Sequence, residues 1–456
     1  MNIAYALPHF PPKYVGGTER VVERLTHSMT ARGHSVDVIC VDQVNNEKDR
    51  LECEDQEVNG FRVHRLILPV VPDENKMLWE YRNPLIGEWF LEFLKSRQID
   101  IVHLHSGYLI SAIIAEKAME KHIPTVISLH DFWFACPIIN LLKPNGYLCA
   151  KPSPCVGCYW CLLSEKRRYR IPDTRSRGKL GELFIHIANN QTVARLLRVK
   201  EPVRQLDERR RYLKGVVASV DAVTAPSKFL IQKYLDYQVT SNNMVLLQNG
   251  FDRRLQENEI ESPRGHNPLR IGYLGQIAQH KGVHVLVDAF IGMQVDPTTV
   301  ELFLYGSEST WPEYAAGLRK RAMDHANIFF KGAYQAAEIG KVMDELDVIV
   351  VPSICFENRP TVILEAFSYH KPVIVSDLGG MAEMVEHGVN GLKFTPGAAR
   401  SLSAQMCSLL NEPGFLESLA AGIRPVKTTA EETREVESLY DQVVSRRERA
   451  DNFSSN

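Results

Sequence analysis

The stretch Val351–Leu392, VPSICFENRPTVILEAFSYHKPVIVSDLGGMAEMVEHGVNGL, decides how the chain is read. Four apolar residues, Val348 to Val351, lead into it and predict a strand buried in a parallel sheet. Pro352 and Ser353 close that strand. Pro360 sits where a first helical residue is expected, and TVILEAF from Thr361 predicts a short helix. The uncommitted N–H groups at the helix start, on Thr361 and Val362, suit a phosphate. Glu365 lies one turn after Thr361, on the same helix face and about 6 Å further along. That is the reach from a diphosphate to a ribose, and a carboxylate accepts two hydrogen bonds side by side from vicinal hydroxyls. Glu357, earlier in the loop, is placed to hold the hydroxyls of a second sugar. KPVIVSD then predicts another strand, and Gly379-Gly380 permits a close backbone approach before a helix starting near Met381.

The pattern PS-x(3)-E-x(7)-EA-x(5)-PV-x(5)-GG-x(2)-E resembles the donor site of retaining glycosyltransferases of family 4, which have the GT-B fold. The resemblance implies an α/β protein of two Rossmann-like, doubly wound domains facing across a cleft. It implies transfer of a sugar from a nucleotide-diphosphate donor with retention at the anomeric carbon, without a divalent metal at the leaving group.

The remaining chain accommodates such an architecture. Its 456 residues suffice for two or three domains, and 45% apolar with 24% charged residues is ordinary for a globular protein. The net charge of −2 specifies no partner. No apolar run reaches the length of a membrane span, and the first residues enter a strand rather than a basic-then-apolar leader. A cytosolic location is therefore expected, and the nine cysteines read as thiols rather than disulfides.

Ile3–Leu7 predicts a strand, Gly16-Gly17-Thr18-Glu19 opens a helix, and Val36–Cys40 predicts a second strand, so the chain begins βαβ. The pair Gly16-Gly17 lets a ligand approach the helix start, but it is not the G-x-G-x-x-G fingerprint of a nicotinamide cofactor. The resemblance places a similar GG loop near the acceptor and the donor phosphates. IDIVHLH (99–105) and TVISLH (125–130) predict two further strands, each ending in histidine at the carboxyl end where open α/β sheets bind ligands. His103 and His105 share a strand face, but one strand offers no further metal ligand. His130, in the sequence LHD, matches the family position beside the donor sugar. In the second half Leu269–Leu274, Glu301–Tyr305 and Ile328–Lys331 predict strands, with a helix carrying Val283, Leu286, Val287 and Phe290 on one face. Lys281 matches the family lysine that neutralises the leaving diphosphate, and Gln276 stands where the family usually has an arginine. The implied catalytic set is Glu357, Lys281 and His130.

Two segments stand apart. Between Cys136 and Cys161 lie five cysteines separated by turn-forming residues, including C-x2-C steps of the kind found in zinc sites and iron–sulfur sites. The segment resembles a cysteine-rich insert of some bacterial family 4 enzymes, which implies Cys136, Cys149, Cys155 and Cys158 as the ligands of a structural metal. The following span, 165–214, holds 15 Lys or Arg against 6 Asp or Glu, interleaved with Leu, Phe and Ile. Such basic amphipathic helices suit an anionic membrane surface or nucleic acid, and the scarcity of aromatics argues against single-strand stacking.

The expected organisation is a first domain over 1–252 with an insert at 136–214, a linker over 253–268, a nucleotide-sugar domain over 269–430, and a helix over 431–449 packing back across both. The expected partners are a nucleotide sugar, a saccharide or lipid-linked acceptor, and the inner membrane surface. A surface-polysaccharide glycosyltransferase is the reading of choice. A GT-B nucleotide-sugar epimerase and a zinc-knuckle nucleic-acid-binding protein are the alternatives.

Overall fold

The computed structural model describes residues 1–14, 16–46, 50–72, 76–188, 190–196, 198–252 and 267–454. Most of the expected linker therefore falls outside the described residues. The chain forms two units, one made of Met1–Gln248 with Thr429–Asn456 and one of Asn249–Thr428.

In the first unit the strands are β1 (Asn2–Leu7), β2 (Ser35–Asn46), β3 (Glu52–Val58), β4 (Phe61–Pro69), β5 (Ile101–Leu104), β6 (Thr125–Ser128), β7 (Ala222–Ala225) and β8 (Met244–Leu246). Their order is β3-β4-β2-β1-β5-β6-β7-β8, parallel except for the antiparallel pair β3–β4. The four-residue strands β5, β6 and β7 are wholly buried, as strands covered on both faces must be. The sheet order reverses between β1 and β5, which is where a doubly wound sheet leaves room for a ligand.

The second unit contains β9 (Leu269–Leu274), β10 (Val300–Tyr305), β11 (Ile328–Gly332), β12 (Val348–Val351), β13 (Val373–Ser376) and β14 (Gly391–Phe394). All are parallel in the order β11-β10-β9-β12-β13-β14, with the reversal between β9 and β12. The fold class is thus two Rossmann-like α/β domains. Among the described residues no helix is long and apolar enough to cross a membrane.

The helix Thr429–Ser454, at the far end of the sequence, completes the core of the first unit. Val436, Leu439, Tyr440 and Val443 pack with Ile3, Tyr5, Leu25 and Met29. Glu437 of this helix takes Arg32 at 2.6 Å and His34 at 2.8 Å, and Arg447 reaches Asp221. Its most constrained residue is Tyr440. The hydroxyl is fully buried, 2.6 Å from Nδ1 of His103 and 3.4 Å from the hydroxyl of Tyr5. Tyr440→Phe keeps the ring and strands the His103 nitrogen. We expect the first unit to lose about 1–3 kcal/mol of unfolding free energy, read as a lowered urea midpoint, whereas Glu437→Gln on the surface costs less. An unchanged midpoint for Tyr440→Phe would show that the network contributes nothing.

Candidate functional site

In the second unit the two strands that flank the sheet reversal deliver the expected catalytic residues to each other. The turn after β9 carries Gly275, Gln276 and, further on, Lys281. The loop after β12 carries Ser353, Cys355 and Glu357. Lys281 Nζ lies 2.7 Å from Glu357 Oε1, with side-chain exposures of 30% and 16%. Ser353 donates its hydroxyl to the same carboxylate oxygen at 2.9 Å. Burial opposes ionisation of both partners, but each outweighs that cost for the other. The Glu357 carboxyl is held below its ordinary range, and the Lys281 ammonium above its own. Burial, with Glu357 adding to it, pushes the Cys355 thiol up to about 12, so it stays protonated.

Two glycines hold this arrangement. Gly282 adopts φ of +70°, and a Cβ there would sit 1.9 Å from the Pro352 carbonyl oxygen. The close approach lets Ile354 N–H donate to the His280 carbonyl at 3.0 Å, tying the two loops backbone to backbone. On the other side Gly380 N–H donates to the Glu357 carbonyl at 2.6 Å, and a Cβ at Gly380 would lie 1.6 Å from the Asn358 oxygen. The close approach expected of the GG turn is therefore made to the protein's own Glu357 loop.

The helix after this loop is Thr361–Ser368, one residue shorter at its start than expected, because Pro360 is its N-cap with ψ of 124°. Thr361 and Val362 are half-buried at its first turn, and Glu365 is 3% exposed on its inner side. Gln276 is exposed, and the Tyr273 hydroxyl donates to its carbonyl at 2.5 Å.

In the first unit Gly16 is the N-cap of the helix Gly17–Ala31, and space beside Gly17 is open. His130 and Asp131 follow β6. His130 Nε2 is 3.1 Å from Nδ1 of His105, which directly follows β5, and Asp131 accepts from the Ser106 hydroxyl and from Trp133 N–H. Burial drives the His103 imidazole down to about 3 and that of His130 to about 4, so both are neutral near pH 7. His130 is thereby a hydrogen-bonding group and not a cation. His103 and His105 stack at 3.9 Å, but His103 is committed on both nitrogens, to Tyr440 and to the Ser128 hydroxyl at 2.7 Å. His105 was not expected in the site, although its place at a strand's carboxyl end carried the signal.

Residues from two later helices, Lys200–Ser219 and Lys228–Asp236, brace the His130 loop. Tyr234 donates to the Asp131 carbonyl at 2.8 Å, and Arg209 donates to the Trp133 carbonyl at 2.7 Å from beneath its ring. Cys155, Cys158 and Cys161 lie on one short helix, Cys155–Leu163. Burial raises Cys136 to about 11 and also raises Cys155, Cys158 and Cys161. Cys161, outside the expected quartet, feels Cys136, Cys158 and Cys149 as electrostatic neighbours, Cys158 feels Cys155 and Cys149, and the Cys155 sulfur is 4.0 Å from Asp207. No three of these sulfurs lie within 4.8 Å of one another.

The basic span proves to be four helices, Arg167–Arg175, Lys179–Ala188, Gln191–Leu196 and Lys200–Ser219. Its charge is not uniformly available. Arg209 is 3% exposed, Arg210 donates to Ser153 and Cys158, and Arg204 and Arg211 are paired within their own helix. Reversing charge at Arg209–Arg211 would thus disturb the fold. The open part is the exposed Arg167, Arg168, Arg170, Arg175, Arg177 and Lys179, next to exposed Leu180, Leu183 and Ile187.

Comparison with known proteins identifies the class. Residues 15–198 match the family model described as Glycosyltransferase Family 4, and residues 268–412 match the one described as Glycosyl transferases group 1. Two segments of the chain thus match glycosyltransferase models of the family 4 and group 1 kinds, and its two Rossmann-like units are folded like those of GT-B enzymes. Among individual relatives, it is 23% identical over 397 residues to an uncharacterised 42.6 kDa protein from the cps region of Klebsiella pneumoniae, covering 84% of this chain and 87% of that one. It is 27% identical over 142 residues to the lipopolysaccharide 1,6-galactosyltransferase of Salmonella typhimurium, covering 30% of this chain and 39% of that one. Among solved structures it resembles the sucrose-phosphate synthase of Thermosynechococcus elongatus, with a TM-score of 0.66, 18% identity and coverage of 97% and 99%. It also resembles the Anabaena protein HepE in complex with UDP and glucose, with a TM-score of 0.60, 17% identity and complete (100%) coverage of both chains.

Proposed function

We propose that the protein transfers a hexose from a nucleoside-diphosphate sugar to a saccharide or lipid-linked acceptor in surface-polysaccharide synthesis, with retention at the anomeric carbon. The observation that carries this reading is the Lys281–Glu357 pair at the sheet reversal, with the helix start at Thr361 and the carboxylate of Glu365 following it. A uridine diphosphate sugar is the first donor to try, since the Anabaena neighbour holds UDP and glucose. Retention rests on the resemblance of 351–392 to retaining enzymes. Glu365 holds the ribose hydroxyls, and Gly16 and Gly17 leave room for donor phosphate or acceptor. Exposed Gln276 lies beside the diphosphate.

The pair gives the chemistry a reserve of charge. With no donor bound, each partner neutralises the other. On donor binding the Lys281 ammonium turns to the diphosphate, where negative charge grows as the glycosidic bond breaks. The freed Glu357 carboxylate accepts hydrogen bonds from the sugar hydroxyls, and neutral His130 adds a further polar contact. Lys281→Met should therefore lower turnover more than it weakens donor binding. Glu357→Gln should abolish most transfer yet leave affinity for free diphosphate intact, because Lys281 is then uncommitted. Glu365→Gln should weaken the diphosphate itself, by roughly 1.5–3 kcal/mol for a hydrogen bond to a charged group. Calorimetry with UDP and initial rates with the donor separate the three, and near-normal turnover in Lys281→Met removes the lysine from this role.

The same proposal places the enzyme at the inner face of the membrane. Leu180, Leu183 and Ile187 recur at helical spacing on Lys179–Ala188, exposed beside six cations. Each cation near an anionic leaflet contributes about 1 kcal/mol. Leu183→Asp with Arg175→Glu should abolish co-sedimentation with anionic liposomes and spare transfer to a soluble acceptor. Absence of liposome binding by the unaltered protein at low salt would leave a purely soluble enzyme.

The cysteine segment is proposed to hold one structural metal, zinc or an iron–sulfur cluster, on Cys136, Cys149 and Cys158 with Cys155 or Cys161 as fourth ligand. The all-thiol donor set fits either group, and the sulfurs close in as the ion binds. Anaerobically purified protein should contain about one such group, lost in Cys158→Ser; metal analysis finding neither zinc nor iron returns them to free thiols.

A further inference from the structure

The first sheet carries a second group of ligand-type side chains, remote in sequence from the cysteine segment. In the antiparallel pair β3–β4, Asp55 stands directly opposite His64, and Cys53 is two residues from Asp55 on the same face. The Cys53 sulfur, an Asp55 oxygen and a ring nitrogen of His64 all lie within 4.8 Å of one another. Among the described residues this is the one group of three or more His, Cys, Asp or Glu so gathered.

The imidazole is built in rather than resting on the surface. His64 is 3% exposed. Its ring packs against Trp89 and Phe93, which stack on each other on the helix Pro84–Ser96, with centroids 6.0 and 5.1 Å away. Nε2 meets the buried Asp37 carboxylate of β2 at 2.9 Å, and Nδ1 points to Asp55 at 2.7 Å. A carboxylate on the far nitrogen fixes the tautomer and raises the basicity of the near one, which is how metal-bound histidines are commonly supported. Cys53 is 3.3 Å from the same Asp55 oxygen. The Asp55 side chain is 70% exposed, so the outer side is open to an ion and to a water as fourth ligand.

We propose that Cys53, Asp55 and His64 form a site for a divalent transition ion of the zinc class, with Asp37 as the residue that orients His64. A mixed sulfur, nitrogen and oxygen set suits zinc and excludes magnesium and calcium, which take oxygen alone. Tetrahedral bonds of about 2.0–2.3 Å hold ligand atoms further apart than the 2.7 Å that now separates Asp55 from Nδ1, so Asp55 draws back to admit the ion, a movement that rotation of its exposed side chain supplies. The ion replaces the proton between Nδ1 and Asp55, and the Cys53 proton leaves to solvent. The site is structural. It fastens β3, the edge strand of the sheet, to β4, and through Asp37 to β2.

Hydrogen exchange on the full chain localises the effect. Chelator-treated protein is compared without zinc and with zinc in excess of both this site and the cysteine segment, as wild type, Cys53→Ala and His64→Gln. We expect zinc to slow amide exchange in 52–58 at least tenfold in wild type and to change it in neither variant. Cobalt should give a thiolate charge-transfer band that Cys53→Ala diminishes, whatever the cysteine segment binds. Cys53→Ala alters a partly exposed edge position, so it keeps the test valid if His64→Gln fails to fold. The absence of zinc-dependent protection over 52–58 in wild type, or equal protection in the variants, overturns the proposal.

Discussion

The two loops that meet at Lys281 and Glu357 are separated by 76 residues of sequence, and everything proposed for the donor depends on their staying together. The contact is a consequence of topology. Parallel strands β9 and β12 are neighbours in the sheet although two strands lie between them in sequence, so the turns at their carboxyl ends open side by side. The glycine at 282 removes the one steric obstacle to closing that space, and Gly380 clamps the loop from the opposite side. A half-buried ion pair is then permitted because each charge has a partner and Ser353 adds a further hydrogen bond.

The first unit solves a related problem with neutral groups. Three histidines, two tyrosines, Ser128 and Thr224, drawn from β1, β5, β6, β7, the residues just after β5 and β6 and the last helix, hydrogen-bond among themselves. Neutrality makes such a network tolerable, since burial of an imidazolium would need a counter-charge. It also holds His130 by its neighbour His105, with the Asp131 loop braced by Tyr234 and Arg209.

Much of this was legible in residue order. The apolar runs gave the central strands of both sheets, and the proline, glycine and glutamate spacing of 351–392 located the second-unit loops. What escaped has physical reasons. The hairpin over 52–69 escaped because its outer strand, ECEDQEV, is mostly polar with its middle exposed, as edge strands tend to be. The pairing of Lys281 with Glu357 is a long-range contact that no local spacing encodes. Charge counting over 165–214 could not separate Arg209, which is buried on Trp133, from the exposed arginines of the neighbouring helices. The choice between Cys155 and Cys161 is not encoded by spacing, because a C-x2-C-x2-C string on one helix is compatible with either.

The return of the helix Thr429–Ser454 to the first unit makes the second unit, in topological terms, an insertion. Near its two ends, Phe251 and Lys427 are joined by a 2.8 Å backbone hydrogen bond, so the inserted unit enters and leaves at one place. During synthesis the inserted unit is therefore complete while its host still lacks part of its core. Val436, Leu439, Tyr440 and Val443 reach the ribosome exit after every residue of the second unit, and the core that β1 shares with Leu25 and Met29 stays incomplete until they arrive. Loss of the last few turns of the chain would harm the unit that was made first.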